Sequence, residues 1–306
     1  HSIGEFAAAA LAGVMSPDDA MRAVVARGRL MAAMAPGAML AVRLPAEQLR
    51  PRLGADVVIA AINAPRLCVV AGPDAAIATL EVALMVDHIG CRRLQTSHAF
   101  HSPSMDEAAR EFEAVMRSVP LHAPTIPFAS CVTGAPITAA EATDPAYWGR
   151  QLREPVRFAE GLAALAGERS VVLIEAGPRE SLTALGLQIL GGKAVGAALL
   201  SARDATTEQR DFLSSIGALW RSGLDGLTWG VLDGLLTSSH ARLPGYPYER
   251  RRLWVEPARS AGDRTHQREG ARDLRGLLQD QLHLIHDQLG VLRSVTTDPS
   301  AAGAME

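Results

Sequence analysis

The sequence is short of cysteine, of net charge and of long apolar runs, and each shortage removes a class of protein. Of 306 residues only three are cysteines, Cys68, Cys91 and Cys131. Their odd number and the lack of any CxxC spacing exclude a disulfide framework and a zinc site, and fit reduced thiols in a cytoplasmic protein that needs no metal. A formal net charge of −3 offers no basic field, so neither nucleic acid nor an acidic membrane surface is an expected partner. The apolar stretches are broken by charge, Gly or Pro, and the chain opens without a basic leader segment. Neither a membrane span nor a secretory signal is therefore read. No internal repeat is visible. What is present is 48% hydrophobic residues in a chain long enough for one large or two modest domains, which supports a globular protein with a real core.

The order of helix and strand signals sets the fold class. An alanine-rich helix runs from Ser2 to about Gly13. Ser16-Pro17-Asp18-Asp19 then supplies an N-cap, a proline at the first helical position and acids in the first turn of a helix reaching about Met34. Residues 37–96 read AMLAVRL, AEQLRPRL, VVIAAINA, RLCVVAG, DAAIATLEVALMVDHI and CRRLQTS, in the order β-α-β-β-α-β of a small ferredoxin-like subdomain. After Pro103 come the helix MDEAAREFEAVMRSV, a strand PFASCVT, helices DPAYWGRQL and RFAEGLAALA, and the apolar strand SVVLIEAG. The helix RESLTALGLQIL, the strand AVGAALLS and a helix over 208–221 follow. Strands alternating with helices predict an α/β protein: a partial doubly wound parallel sheet, with an α/β-hydrolase-like core and the ferredoxin-like subdomain inserted in it.

The expected division is a core of residues 1–36 and 97–240 around the 37–96 subdomain, then a proline- and aromatic-rich extended strip over 241–256. A polar, disordered linker over 257–270, an amphipathic helix over 271–293 and a tail over 294–306 complete it. Leu278, Leu282, Ile285, Leu289 and Leu292 give that helix two heptads of apolar seam, too few to be stable alone.

The chain opens on HSIGEF, where Ser2 and Gly4 fit the second half of a Gly-x-Ser-x-Gly elbow. Such a turn exposes a serine hydroxyl at a helix N-terminus, where the backbone N–H of Ile3 can stabilise an oxyanion. The same letters also serve as an ordinary helix start. A serine nucleophile needs a base. His98 and His101, in SHAFHSPSMD, lie where a strand ends and a helix begins, the end of an α/β sheet at which reactive groups gather. The alternative role for either is to cap the following helix. The other histidines sit in polar or helical surroundings. Arg27 either decorates the second helix or, if buried, offers a planar fork to a carboxylate. No acid is forced into a triad: Glu175 is a candidate third member or a loop tether, and a main-chain carbonyl can orient the histidine instead.

Ser2-Ile3-Gly4-Glu5, the RGRLM run, INAPRLCVVAG, HAFHSP, RQLREPVRF, IEAGP and LPGYPYERRRLW stand in one order. Together they closely resemble the acyltransferase domain of modular polyketide synthases, related to malonyl-CoA:acyl-carrier-protein transacylases, from residue 1 to about 255. The resemblance implies that Ser2 accepts the acyl group, that His101 is the base, that Arg27 grips the free carboxylate of a malonyl group, and that the main-chain carbonyl of Gln151 orients the histidine. His98 and Phe100, in the HAFH signature, imply malonyl selection, with Phe100 crowding an α-methyl group at a gain of only about 1–3 kcal/mol. It implies no bound cofactor, with malonyl-CoA as substrate and phosphopantetheine carried by an acyl carrier protein partner. It further implies an adjacent ketosynthase contacted through 241–256, and a homodimeric parent synthase. Family members carry a Gly-Gln-Gly loop and a strand ahead of the elbow. The expectation is a C-terminal part of a longer synthase polypeptide, weak or inactive alone, since one lost oxyanion donor costs about 2.7–4 kcal/mol. A serine acyl hydrolase and a non-catalytic scaffold remnant remain the alternatives.

Overall fold

The computed structural model describes residues 1–178, 180–200, 207–224, 227–228, 230, 276 and 279. The chain divides into two compact units, His1–Leu236 and Thr237–Glu306. In the second only Gly276 and Gln279 are described, both helical. The strip, linker, seam and tail read over 241–306 otherwise lie outside the described residues.

The first unit begins with two helices, α1 (Gly4–Leu11) and α2 (Pro17–Ala32). Ser16 caps α2 as its sequence predicts, its Oγ accepting the Asp19 N–H at 3.1 Å. There follow β1 (Ala38–Val42), α3 (Ala46–Leu49), β2 (Val58–Ala64), β3 (Leu67–Gly72), α4 (Asp74–Val86) and β4 (Cys91–Arg93). These form one antiparallel sheet in the order β2-β3-β1-β4, with Leu40 opposite both Val70 and Arg93. Alternation along the strands sends Leu40, Val42, Cys68 and Val70 to one face, where Ile77, Leu80 and Leu84 of α4 cover them. Met39, Val69 and Ala71 point the other way, against Ala99, Cys131 and Val156. The subdomain is thus apolar on both faces, and its second face joins it to the rest of the unit.

The remaining elements are α5 (Asp106–Met116), α6 (Ala139–Ala142), α7 (Pro145–Arg153), α8 (Phe158–Ala166), β5 (Val171–Pro178), α9 (Ser181–Leu190), β6 (Ala194–Leu200) and α10 (Glu208–Arg221). Phe6 of α1, Ala23 of α2, Phe112 of α5 and Tyr147, Trp148 and Leu152 of α7 share one buried cluster. Gly149 lets α7 lie close to α5, since a Cβ there would meet the Ala109 carbonyl oxygen at 2.9 Å. β5 and β6 pair in parallel, with Ile174 beside Ala197. The architecture is the mixed α/β one expected, and these two are the only strands paired in parallel among the described residues.

Two local expectations change. PFASCVT is a turn rather than a strand: Ser130 Oγ accepts the N–H groups of Val132 and Thr133 at 3.1 and 3.0 Å, and Gly134 takes φ +68°. A hydroxyl that captures the next amides withdraws them from any strand ladder. The four-residue α6 has no clear apolar period to announce it; a reciprocal capping box between Thr138 and Glu141 builds it.

Candidate active site

The site assembles where the N-terminus of α1 meets α2, the 98–105 turn and the C-terminal end of α7. Ser2 sits at φ 45°, a left-handed conformation that costs a residue with a side chain about 1–3 kcal/mol. Its carbonyl accepts the Glu5 N–H at 3.0 Å, starting α1 immediately behind it. The hydroxyl is thereby turned away from the helix, toward α2 and the turn. Ile3 is the N-cap of α1, so its N–H heads the helix at the positive end of the dipole.

Two side chains meet Ser2 Oγ. His101 Nε2 lies 2.8 Å from it, and Arg27 Nη2 donates to it at 3.0 Å. His101 Nδ1 lies 2.9 Å from the carbonyl oxygen of Glu154. A carbonyl can only accept, so Nδ1 carries the proton and Nε2 is left to accept from the serine hydroxyl. His101 is itself held at φ 55° and is 5% exposed. Burial, then the nearby Arg27 charge, pulls its pKa from the usual 6.5 down to about 4, against the opposing pull of the Glu154 carbonyl. The imidazole is therefore neutral and ready to take a proton at physiological pH.

Arg27 lies on the buried stripe of α2 with Ala20, Ala23 and Met31, and is 6% exposed, which removes the surface-decoration reading. Burial lowers its pKa to about 10, and the guanidinium stays charged. Its Nε has no hydrogen-bond partner. A buried cation with an unused donor beside a serine hydroxyl can accept a carboxylate as a partner.

The acceptor that orients His101 corrects the Gln151 assignment. Glu154 is the C-cap of α7, at φ −75° and ψ 155°, because the residue before Pro155 is driven out of the helical region. Its carbonyl swings off the helix axis and reaches the imidazole. Gln151 lies three residues earlier inside α7 and acts through its side chain: Nε2 donates to the Ser2 carbonyl at 2.8 Å and to Glu5 Oε2 at 3.1 Å. The loop after Glu154 is fixed in turn by β2, where Val156 exchanges hydrogen bonds with Ile62 and Ala60 at 2.8 and 2.9 Å.

The other named residues separate by role. His98 does not meet Ser2; its Nε2 lies 3.1 Å from the Met34 carbonyl, and its ring stacks on Phe100 with centroids 5.9 Å apart. Phe100 is half-buried between two apolar clusters. Glu175 is a tether: its carboxylate accepts the Leu182 and Thr183 N–H groups at 3.0 and 2.7 Å at the start of α9. Neither His98 nor His101 caps α5, whose entry turn is capped by Ser102. Cys131 does not compete as a nucleophile, because burial pushes its thiol up to about 12.

Sequence reasoning passes over Glu5, which is 2% exposed and accepts from Tyr147 Oη, the Cys131 N–H and Gln151. The one available signal is an acid in the first turn of a helix otherwise made of alanine and other apolar residues. It also passes over His1, whose Nε2 lies 2.8 Å from Asn63 Oδ1 at the end of β2 and whose ring packs on Phe158. Among the described residues no cluster of His, Cys, Asp or Glu could hold a metal ion, and no helix is long and apolar enough to cross a membrane.

The chain is similar to known proteins along most of its length. Residues 1–225 match the family described as acyl transferase domain. The chain is 35% identical over 262 residues to the polyketide synthase GfsA of Streptomyces halstedii, covering 84% of this chain and 4% of that protein. It is 37% identical over 264 residues to the mycoketide-CoA synthase of Mycobacterium tuberculosis, covering 86% of this chain and 6% of the relative. The chain therefore spans only a small part of the curated relatives it matches. Among solved structures, the acyltransferase domain from the second module of the salinomycin polyketide synthase superposes with a TM-score of 0.71. It is 36% identical, over 80% of this chain and 58% of that one. The malonyl-CoA:acyl carrier protein transacylase FabD of Xanthomonas oryzae superposes with a TM-score of 0.61 at 29% identity, over 67% of this chain and 68% of that one. With a family match across most of its length, behind an elbow serine that meets a buried histidine and arginine, the chain belongs to the acyl transferase domain family.

Proposed function

We propose that this domain moves a malonyl unit from malonyl-CoA, through an ester on Ser2, to the phosphopantetheine thiol of an acyl carrier protein within a polyketide synthase. The observation that carries the reading is the double contact at Ser2 Oγ, from His101 Nε2 at 2.8 Å and Arg27 Nη2 at 3.0 Å. In the first half-reaction Ser2 Oγ attacks the thioester carbonyl while its proton passes to His101 Nε2. The tetrahedral oxyanion faces the N–H of Ile3, and its collapse expels the CoA thiolate, which takes the proton from the imidazolium. The second half-reaction runs the same steps with the carrier thiol as nucleophile and Ser2 as leaving group, a ping-pong sequence.

Arg27 holds the malonyl carboxylate in bidentate fashion, which takes its Nη2 away from Ser2 Oγ. The arriving negative charge also offsets the guanidinium that depresses His101, so binding of a dicarboxylic acyl group raises the basicity of the catalytic imidazole. Phe100, backed by His98, stands as the residue that crowds an α-methyl branch. One similar solved structure is the acyl transferase domain of SpnD in complex with 2-(pent-4-yn-1-yl)malonyl, which supports a malonyl-type acyl group here as well. The carrier protein, and a ketosynthase met through residues 241–256, are the partners of this reading.

The test follows the fate of the acyl-serine. With malonyl-CoA and a phosphopantetheinylated carrier protein, Arg27→Ala shifts product from malonyl-carrier toward free malonate, because the untethered acyl group no longer excludes water. An unchanged ratio of transfer to hydrolysis would overturn the role given to Arg27.

A further inference from the structure

We infer that Glu5 is a positioning residue for the nucleophile, acting through the Gln151 side chain on the strained Ser2 peptide. The inference rests on the reading of Ser2 as nucleophile. Glu5 stands three residues after Ser2 in the first turn of α1, and its carboxylate points inward beneath the elbow, 2% exposed. The groups that meet it are donors: Tyr147 Oη, the Cys131 N–H at 3.3 Å and Gln151 Nε2 at 3.1 Å. Gln151 spends both hydrogens of its amide, one on Glu5 and one on the Ser2 carbonyl at 2.8 Å. Both partners are acceptors, so the amide nitrogen, and not its oxygen, must face them. The oxygen is left buried with no partner, an arrangement that only the two strong acceptors on the other side can hold in place.

The consequence reaches the hydroxyl. Ser2 occupies φ 45°, and its carbonyl is clamped from two sides, by the Glu5 N–H that starts α1 and by Gln151. Releasing the second clamp lets the peptide relax, and Oγ leaves the point where His101 and Arg27 converge. Glu5 touches neither Ser2 Oγ nor any acyl group; it acts by fixing the amide that fixes the peptide. Burial raises the pKa of Glu5, and the hydrogen bonds from Tyr147, Cys131 and Gln151 oppose that rise.

Glu5→Leu tests this at similar volume by removing both carboxylate acceptors. Gln151 Nε2 then loses the partner of its second hydrogen, and its amide is free to turn away from the Ser2 carbonyl. Gln151→Leu removes the same clamp while leaving Glu5 with Tyr147 and Cys131. The readout is the second-order rate at which a fluorophosphonate labels Ser2 in the full chain, which requires no recognition of a malonyl group.

Each single variant is expected to label at least about tenfold more slowly, as small misplacements of reacting groups do. The double variant should be no more than about threefold slower again, because both changes break one path. Should Glu5→Leu fail to fold, Gln151→Leu carries the test alone with the same expected loss. Wild-type labelling with either folded variant reacting at the wild-type rate would overturn the positioning role and leave the nucleophile reading intact, as would losses that multiply fully in the double variant. A folded wild-type chain that does not label at Ser2 would overturn both.

Discussion

The two halves of the first unit solve different problems. Between residues 38 and 93 every buried side chain is apolar, and the sheet is covered on both faces by Ile, Leu, Val, Ala and Met. Around Ser2 the buried set includes Glu5, Arg27, His101, Ser130 and Gln151, and two residues with side chains hold positive φ. The subdomain also contains a positive φ, at His88, but there it is exposed and ends α4 as a left-handed cap. The subdomain is packed for stability, whereas the elbow region keeps charge and backbone strain inside a connected set of hydrogen bonds that leaves Arg27 Nε and Gln151 Oε1 without a partner. Strain and buried charge gather where chemistry is to be done, and the apolar half supplies the rigidity that sustains them. The link is concrete, since β2 of the subdomain holds Val156, two residues from the carbonyl that orients His101.

Substitutions can break or sharpen this contrast. The largest effect is expected at the base: His101→Ala should slow acylation of Ser2 by about 10²- to 10⁴-fold, read by rapid-quench with malonyl-CoA or by fluorophosphonate labelling. Loss of less than tenfold would remove the histidine from the chemistry. Leu40→Ala, at a fully buried point of the subdomain sheet, should cost about 2–5 kcal/mol of unfolding free energy in urea. At temperatures where the variant stays folded its labelling rate should remain within about twofold of wild type; a catalytic loss larger than the stability loss would erase the distinction between the halves.

The pH dependence separates the two environments further. A base whose pKa is lowered to about 4 stays neutral at every pH above that value and is switched off only by protonation. Ser2 labelling should therefore hold its neutral-pH rate down to about pH 5, while a solvent-like histidine would lose it as pH falls through about 6.5. Smallest of all is the exposed face of α4: Val82→Ser, at a residue 62% exposed, should change stability by no more than about 0.5 kcal/mol by thermal melt.

Much of the fold is legible because long periodic segments declare themselves. The β-α-β-β-α-β order over 37–96 and the helices found at α2, α7 and α10 follow from spacing, caps and breakers alone. PFASCVT misleads because its apolar residues suggest a strand, while the decisive bonds come from one serine hydroxyl to the amides that follow it. At the site, Ser2, His101 and Arg27 are legible as residue types in a recognised order, and the structure brings their side chains together. The orienting carbonyl is not, because main-chain direction at a helix end depends on the cap geometry that Pro155 imposes at Glu154. Glu5 escapes notice for a related reason: an acid in a first helical turn looks like an ordinary partner of the helix dipole, and only burial among donors separates the two.

The convergence of the hydroxyl of Ser2, the imidazole of His101 and the guanidinium of Arg27 is tested most directly by mapping where a fluorophosphonate attaches. Peptide mass spectrometry of the treated wild-type chain should find one adduct, on Ser2, and none on Ser2 in His101→Ala over the same interval. An adduct on another serine, or on Ser2 equally in both proteins, would contradict the account.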